Sequence, residues 1–245
     1  MTAPARHRLS TVALAILAGA TFLLLTLFVS LGAWQVQRLH WKQDLIARVD
    51  ARLAADPVPA PLPAAWDTLS EATDEYRKVT LRGVFDHDDE TLVKAVTELG
   101  GGFWVMTPLE TSDATYLVNR GYVSPEERDP AARPDGQVAG PVTVTGLLRM
   151  SQPDGAFLRD NDPAAGRWYS RDVGAIMADR DGPLPPFFVD SDATPNPGGA
   201  PVGGLTVVSF RNSHLSYALT WFALAAGTLG AAFLVWRYGR RQDDR

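Results

Sequence analysis

Two long apolar runs bracket the chain, and alternating apolar and polar positions fill the space between them. Leu9 to Leu31 is 23 residues without a charge, and Leu215 to Trp236 is another 22. At about 1.5 Å per residue, either run as a helix reaches roughly 33–35 Å, enough for a hydrocarbon core of about 30 Å. The first run opens on Arg6, His7 and Arg8 and contains Ala18-Gly19-Ala20, which resembles a cleavage site. Mostly apolar sequence continues from Thr21 to Ser30, whereas a signal-peptide core runs only about 7–15 residues. The pattern therefore predicts an uncleaved anchor. The second run ends in a basic tail, which suits a span better than a buried core helix.

Between the runs the period changes twice. Gly32 to Asp56 reads as a helix, with Trp41, Leu45, Val49 and Leu53 on one stripe and Ile46 beside them. This stripe suits a helix lying on its own domain better than a partner-binding or membrane-surface helix. Asp56 to Pro63, with four prolines, predicts a stiff extended connector. From Tyr76 onward the pattern is that of strands: Tyr76–Phe85, Thr91–Val96, Phe103–Glu110, Thr115–Tyr122, Val142–Met150, Phe187–Asp190 and Leu205–Phe210. Asp172 to Asp179 reads as one short helix capped by Asp172. Short turns between strands predict an antiparallel sheet or small barrel rather than βαβ units. The fold class is a membrane α+β protein with two transmembrane helices flanking a β-rich extracytoplasmic domain. Its expected organisation is a tail (1–8), a first span (9–31), the domain (32–213), a second span (214–236) and a tail (237–245).

Charge supplies the orientation. The two tails carry six arginines against two aspartates, while the segment between the spans holds 17 Lys/Arg and 26 Asp/Glu. Positive flanks stay in the cytoplasm, so both termini are expected there, with the long loop on the other side. The mean hydropathy of −0.07 conceals this segregation. The net charge of −5 argues against nucleic-acid binding. The absence of cysteine excludes disulfides, thiolate metal sites and iron–sulfur clusters.

Catalytic signatures are missing: no Walker loop, no GxGxxG after a strand, no GxSxG and no HExxH. Asp86-His87-Asp88-Asp89-Glu90 is better read as a solvated hairpin turn than as a cation site. Asp160-Asn161-Asp162-Pro163 lacks the later ligands of a calcium loop and reads as an Asx-type turn. Where the chain re-enters the membrane, Asn212 or Ser213 can cap a helix whose first turn holds His214. The positive end of that helix favours a neutral imidazole, the form that ligates a metal. His214, Tyr217, Ala218, Trp221 and Ala225 fall on one face at helical spacing, wide enough for a flat macrocycle. An interfacial histidine and an aromatic belt give the same spacing. Trp34, Arg38 and Trp41 share a face just past the first span and suit either a partner contact or a headgroup anchor.

Three stretches together resemble the Surfeit locus protein 1 family, membrane assembly factors of haem–copper cytochrome c oxidase. Leu31-Gly32-Ala33-Trp34-Gln35-Val36-Gln37-Arg38-Leu39-His40-Trp41-Lys42 is similar to the family's LGxWQxxRxxWK. Val118-Asn119-Arg120-Gly121-Tyr122-Val123 is similar to VNRGW(V/I), with Tyr122 in place of Trp. His214-Leu215-Ser216-Tyr217-Ala218-Leu219-Thr220-Trp221 is similar to (N)HxxYAxTW, with Ser213 where Asn is common. The stretch Asp160–Pro163 with Trp168–Asp172 resembles another family segment. The resemblance implies a non-enzymatic role in maturing the oxidase catalytic subunit, with haem a bound transiently. It implies His214 as the haem-iron ligand. Tyr217, Trp221 and Arg211 then line the site, Arg211 toward a propionate. Trp34, Arg38 and Trp41 are the expected partner contacts. The implied partners are the catalytic subunit of the oxidase, membrane lipids and the enzymes of haem a synthesis. The expected location is the bacterial cell membrane, multi-pass. A structural accessory protein of the respiratory complex that binds no cofactor is the alternative.

Overall fold

The computed structural model describes residues 10–153 and 159–243, with side chains to Tyr238. The basic start at Arg6 and Arg8, and the charged side chains from Arg240 to Arg245, lie outside that description. The chain divides into two compact units, Met1–Ala47 with Ser209–Arg245, and Arg48–Val208.

The first unit is a helix pair. Helix α1 (Thr11–Ala54) is one uninterrupted helix of 44 residues. Ser10 caps it, its hydroxyl accepting from the Ala13 amide at 3.2 Å. Pro57 lies just beyond its end, where proline stops a helix. The run expected as a span and the amphipathic stretch after it are thus a single element, without a break at Gly32. The final helix runs from His214 to Asp243. Among the described residues these two are long and apolar enough to cross a membrane. Their apolar side chains point outward: Phe22 is 70% exposed and Leu23 69%. Such a continuous apolar surface fits lipid rather than water.

The second unit is a seven-stranded sheet. Its strands are β1 (Val58–Pro59), β2 (Lys78–Phe85), β3 (Thr91–Thr97), β4 (Gly100–Glu110), β5 (Thr115–Val123), β6 (Pro141–Met150) and β7 (Phe187–Ser191), with short helices α2 (Glu71–Asp74) and α3 (Val173–Ile176); the final helix is therefore α4. The order is β1-β2-β6-β7-β5-β4-β3, and β2 also pairs with β4. Five strands therefore close a ring: β2, β6, β7, β5, β4. All five contribute to one core cluster, with Val79 and Leu81 from β2, Val144 and Leu148 from β6, Phe187 and Val189 from β7, Tyr116 and Val118 from β5, and Leu109 from β4. Trp66 belongs to the same cluster. Alternate residues of the same strands, Leu117, Met106 and Phe188, pack outside the ring with Val173 and Met177.

Six of the seven expected strands are present with small changes at their ends, and Asp172 caps α3 as expected, accepting from the Ala175 amide. Three expectations are corrected. The sheet is mixed rather than antiparallel: β1 runs parallel to β2 and β7 parallel to β5. Strand β7 returns after the long segment following β6 and inserts between β6 and β5, which leaves only a parallel register against β5. Leu205–Phe210 is not a strand. Among the described residues no strand pairs with it, although Thr206 bonds Asp190, and Val207 is 79% exposed. The Asp86–Glu90 segment is a short turn with Asp88 and Asp89 exposed, but it is only partly solvated. Asp86 and Asp89 both pair with Arg180, and the Glu90 side chain is 5% exposed beneath Arg133.

Candidate functional site

The helix pair carries the polar contact that the first unit buries. Along α1, Phe28, Gly32 and Gln35 recur at i, i+4 and i+7. Phe28 and Gly32 meet Trp221 and Phe222, and Gln35 meets His214 at the start of α4, so the two helices run antiparallel. Phe28 stacks on Trp221 with ring centroids 5.9 Å apart. At Gly32 an added Cβ would sit 2.7 Å from the Phe222 ring, so any larger residue here requires that ring to move. Ala218 and Ala225 are buried on the facing side of α4. Above these contacts the Nδ1 of His214 lies 2.8 Å from the Oε1 of Gln35, itself 9% exposed. The Asn212 side chain accepts from the His214 amide at 3.3 Å and starts the helix.

The expected macrocycle face is brought together only in part. His214 and Trp221 turn toward α1, but Tyr217 is 55% exposed. Arg211 precedes the helix and is exposed. Trp34 and Trp41 are exposed at 51% and 46%, and the Arg38 guanidinium lies 4.3 Å over the Trp41 ring. Gln35, one residue beyond Trp34 and turned inward, was not singled out by the sequence reading. Its signal was there in the Trp34-Gln35 pair of the first motif. On the stripe of α1, Val49 is buried and Leu45 and Leu53 are half-buried, while Trp41 is exposed.

The motif from Val118 to Val123 does different work. Successive residues of β5 point to opposite sides of the sheet. Asn119 faces outward and donates to Asp190 Oδ1 at 2.7 Å. Asp190 also receives Arg149 at 3.0 Å, Arg171 at 3.2 Å and the Thr206 hydroxyl at 2.9 Å. Arg149 continues to Glu75 at 2.7 Å. Burial pushes the Arg149 guanidinium down, but the carboxylates of Asp190 and Glu75 outweigh it and raise it above its ordinary value. At Arg171 burial dominates and lowers it, with Asp190 opposing. Arg120 faces inward and is 1% exposed. Its guanidinium lies 4.8 Å over the Phe85 ring, hydrogen-bonds the Gly136 carbonyl, reaches His87 Nδ1 at 3.3 Å and stands 3.8 Å from Glu90. Burial pushes it down to about 10, Arg133 acts in the same direction, and Glu90 opposes both. Gly121 has φ +128°, and a Cβ there would collide with the Val202 carbonyl, so the backbone approach itself requires glycine. Most of these polar atoms bond one another, while the buried Arg120 Nε has no hydrogen-bond partner among the described residues. They tie β5 to β6, β7 and the segments around His87, Glu90 and Gly136.

Comparison with known proteins places these motifs in one lineage. A model of the SURF1 family matches residues 22–226. The chain is 40% identical to Surfeit locus protein 1 of Rattus norvegicus over 215 residues, covering 81% of this chain and 68% of the rat protein. Against the Homo sapiens protein of the same name it is 39% identical over 216 residues, 81% and 70% of the two chains. A SURF1-like protein of Monosiga brevicollis is 37% identical over 227 residues, 86% of this chain and 83% of that one. The matched region takes in Gln35, the Asn119–Gly121 stretch and His214, and the chain belongs to the SURF1 family.

Proposed function

We propose that this chain is a non-enzymatic assembly factor for haem–copper cytochrome c oxidase, handling haem a while the catalytic subunit matures. Family membership supports the oxidase role. The observation that carries the haem reading is the state of His214. Its Nδ1 is engaged by Gln35, and among the described residues nothing hydrogen-bonds its Nε2. An axial ligand to haem iron needs such a bare imidazole nitrogen. Arg211, exposed just before the helix, supplies a cation for a propionate, and Trp221 and Tyr217 supply aromatic surface. Trp34, Arg38 and Trp41 offer aromatic and cationic surface to the oxidase subunit, beside the lipid headgroups. In this reading α1 and α4 are spans in the bacterial cell membrane, both tails face the cytoplasm, and the sheet unit lies on the other side.

The test is the absorbance spectrum of detergent-purified protein from cells that make haem a. Wild-type protein is expected to carry haem a, His214→Ala to carry none, Trp221→Ala less, and His40→Ala nearly the wild-type amount. Wild-type-like haem in His214→Ala removes the ligand assignment. A wild-type protein without haem, co-purifying with the mature complex, favours the structural accessory protein instead.

A further inference from the structure

We infer that Gln35 is a positioning residue for His214: it locks the imidazole in the tautomer protonated on Nδ1 and so fixes Nε2 as the nitrogen offered to a ligand. An amide oxygen accepts hydrogen bonds and cannot donate them. With its amide oriented so that Oε1 faces His214 Nδ1 at 2.8 Å, Gln35 accepts the Nδ1 proton, and a neutral ring is then bare at Nε2; the opposite amide orientation would donate to Nδ1 and put the proton on Nε2, and ring spectra distinguish the two. A free histidine side chain in water exchanges between both tautomers. Here the acceptor is held in place by packing. Gln35 is buried and follows Phe28 and Gly32 on the face of α1 whose contacts with Trp221 and Phe222 set the register of the two helices. The imidazole is held from the other side by its position at the start of α4, where Asn212 accepts from the His214 amide. The lock thus exists only while the helices are docked, and it ties ligand readiness to the integrity of the helix pair. That the ligand is haem a rests on the function proposed above; the tautomer itself is a property of the ligand-free protein.

Partners that orient a metal-binding histidine are worth about 10–100-fold in affinity. The experiment uses the full chain in detergent, labelled with 15N-histidine and made in cells lacking haem a. Long-range proton–nitrogen spectra are recorded above the ordinary imidazole titration range, with the His214 signals assigned by their loss in His214→Ala. Wild-type protein should show Nδ1 protonated and Nε2 bare. Gln35→Leu should move both nitrogens toward averaged values, and Gln35→Glu, which still accepts, should restore the wild-type pattern. On titration with haem a, Gln35→Leu should bind about tenfold or more weakly and Gln35→Glu near wild type. Protonated or averaged Nε2 in the wild type overturns the inference even if Gln35→Leu fails to fold. So does an unchanged ring spectrum in Gln35→Leu, or wild-type haem affinity once the lock is lost. A locked wild-type ring that takes up no haem a leaves the tautomer inference standing and removes the haem reading.

Discussion

The helix pair and the sheet unit are built with their surfaces reversed. In α1, Phe22 and Leu23 are about two-thirds exposed, whereas Phe187 and Phe188 of β7 are fully buried. The sheet unit hides its large apolar residues and, with them, a set of ion pairs around Asp190 and Arg120. Among its described residues the helix pair hides glycine, alanine, two stacked rings and the contact between Gln35 and His214. In lipid there is no hydrophobic force pulling two apolar helices together, so close packing of small residues and a few polar contacts must specify their docking. In water the burial of apolar surface supplies the force, and the buried charges act mainly as register markers that must be satisfied. The difference suggests a division of labour. Charged changes in the sheet unit should act through folding, and changes in the helix pair through what the protein carries.

The largest effect that tests this division is at Asp190. The side chains of Arg149 and Arg171 are 11% and 17% exposed and share this carboxylate. Asp190→Ala leaves both without their common partner, and removing one member of a buried ion pair costs about 3–5 kcal/mol. Purified in detergent, this variant should show a strongly lowered Tm and reduced yield, while the fraction that folds carries the wild-type amount of ligand per chain. An unchanged Tm would mean that the network is not what holds the ring closed.

Much of this architecture was legible in the sequence, for reasons that differ by region. The spans announce themselves because lipid demands about twenty uncharged residues in a row. Strands β2 to β7 follow from alternation bounded by Asp, Gly and Pro turns. Alternation alone, however, does not say which strand will be the neighbour. The parallel insertion of β7 between β5 and β6 is a long-range event, and so is the loss of Leu205–Phe210 as a strand: its pattern is correct, but no edge receives it. The acidic run at Asp86–Glu90 was legible as a turn but not as an ion-paired one, because its partners, Arg180 and Arg133, are distant in sequence. At the candidate site His214 was visible from its place at a helix start. Gln35 was not, since its role depends on a contact 179 positions away.

A smaller effect is expected where the helices touch. A Cβ at Gly32 would stand 2.7 Å from the Phe222 ring. Gly32→Val adds two further methyl groups there, and overpacking of this kind costs about 1–3 kcal/mol. Because the strain falls on the helix pair, the stacking of Phe28 on Trp221 should weaken and, under the proposed function, bound haem should drop with it, while the unfolding transition of the sheet unit keeps its midpoint. A shift of that midpoint comparable to the one in Asp190→Ala would erase the distinction between the two regions.

The smallest structural effect, and the sharpest functional one, is expected on the exposed side of α1. Trp34 is half exposed, and Arg38 lies over the exposed Trp41 ring at 4.3 Å. A cation over a ring at an exposed site contributes about 0.5–1 kcal/mol, and exposed substitutions generally shift stability by about 0.5 kcal/mol or less. Trp34→Ala or Arg38→Ala should therefore leave the protein at normal abundance and, under the proposed function, leave bound haem unchanged, because neither residue touches the contact between Gln35 and His214. If this side of α1 meets the oxidase subunit, assembled oxidase falls in both variants while the protein itself persists. If the two residues serve only to hold the helix at the headgroups, the protein and the oxidase decline together, in proportion. A level of assembled oxidase that stays at wild type in both variants would move the docking surface off this side of α1 altogether.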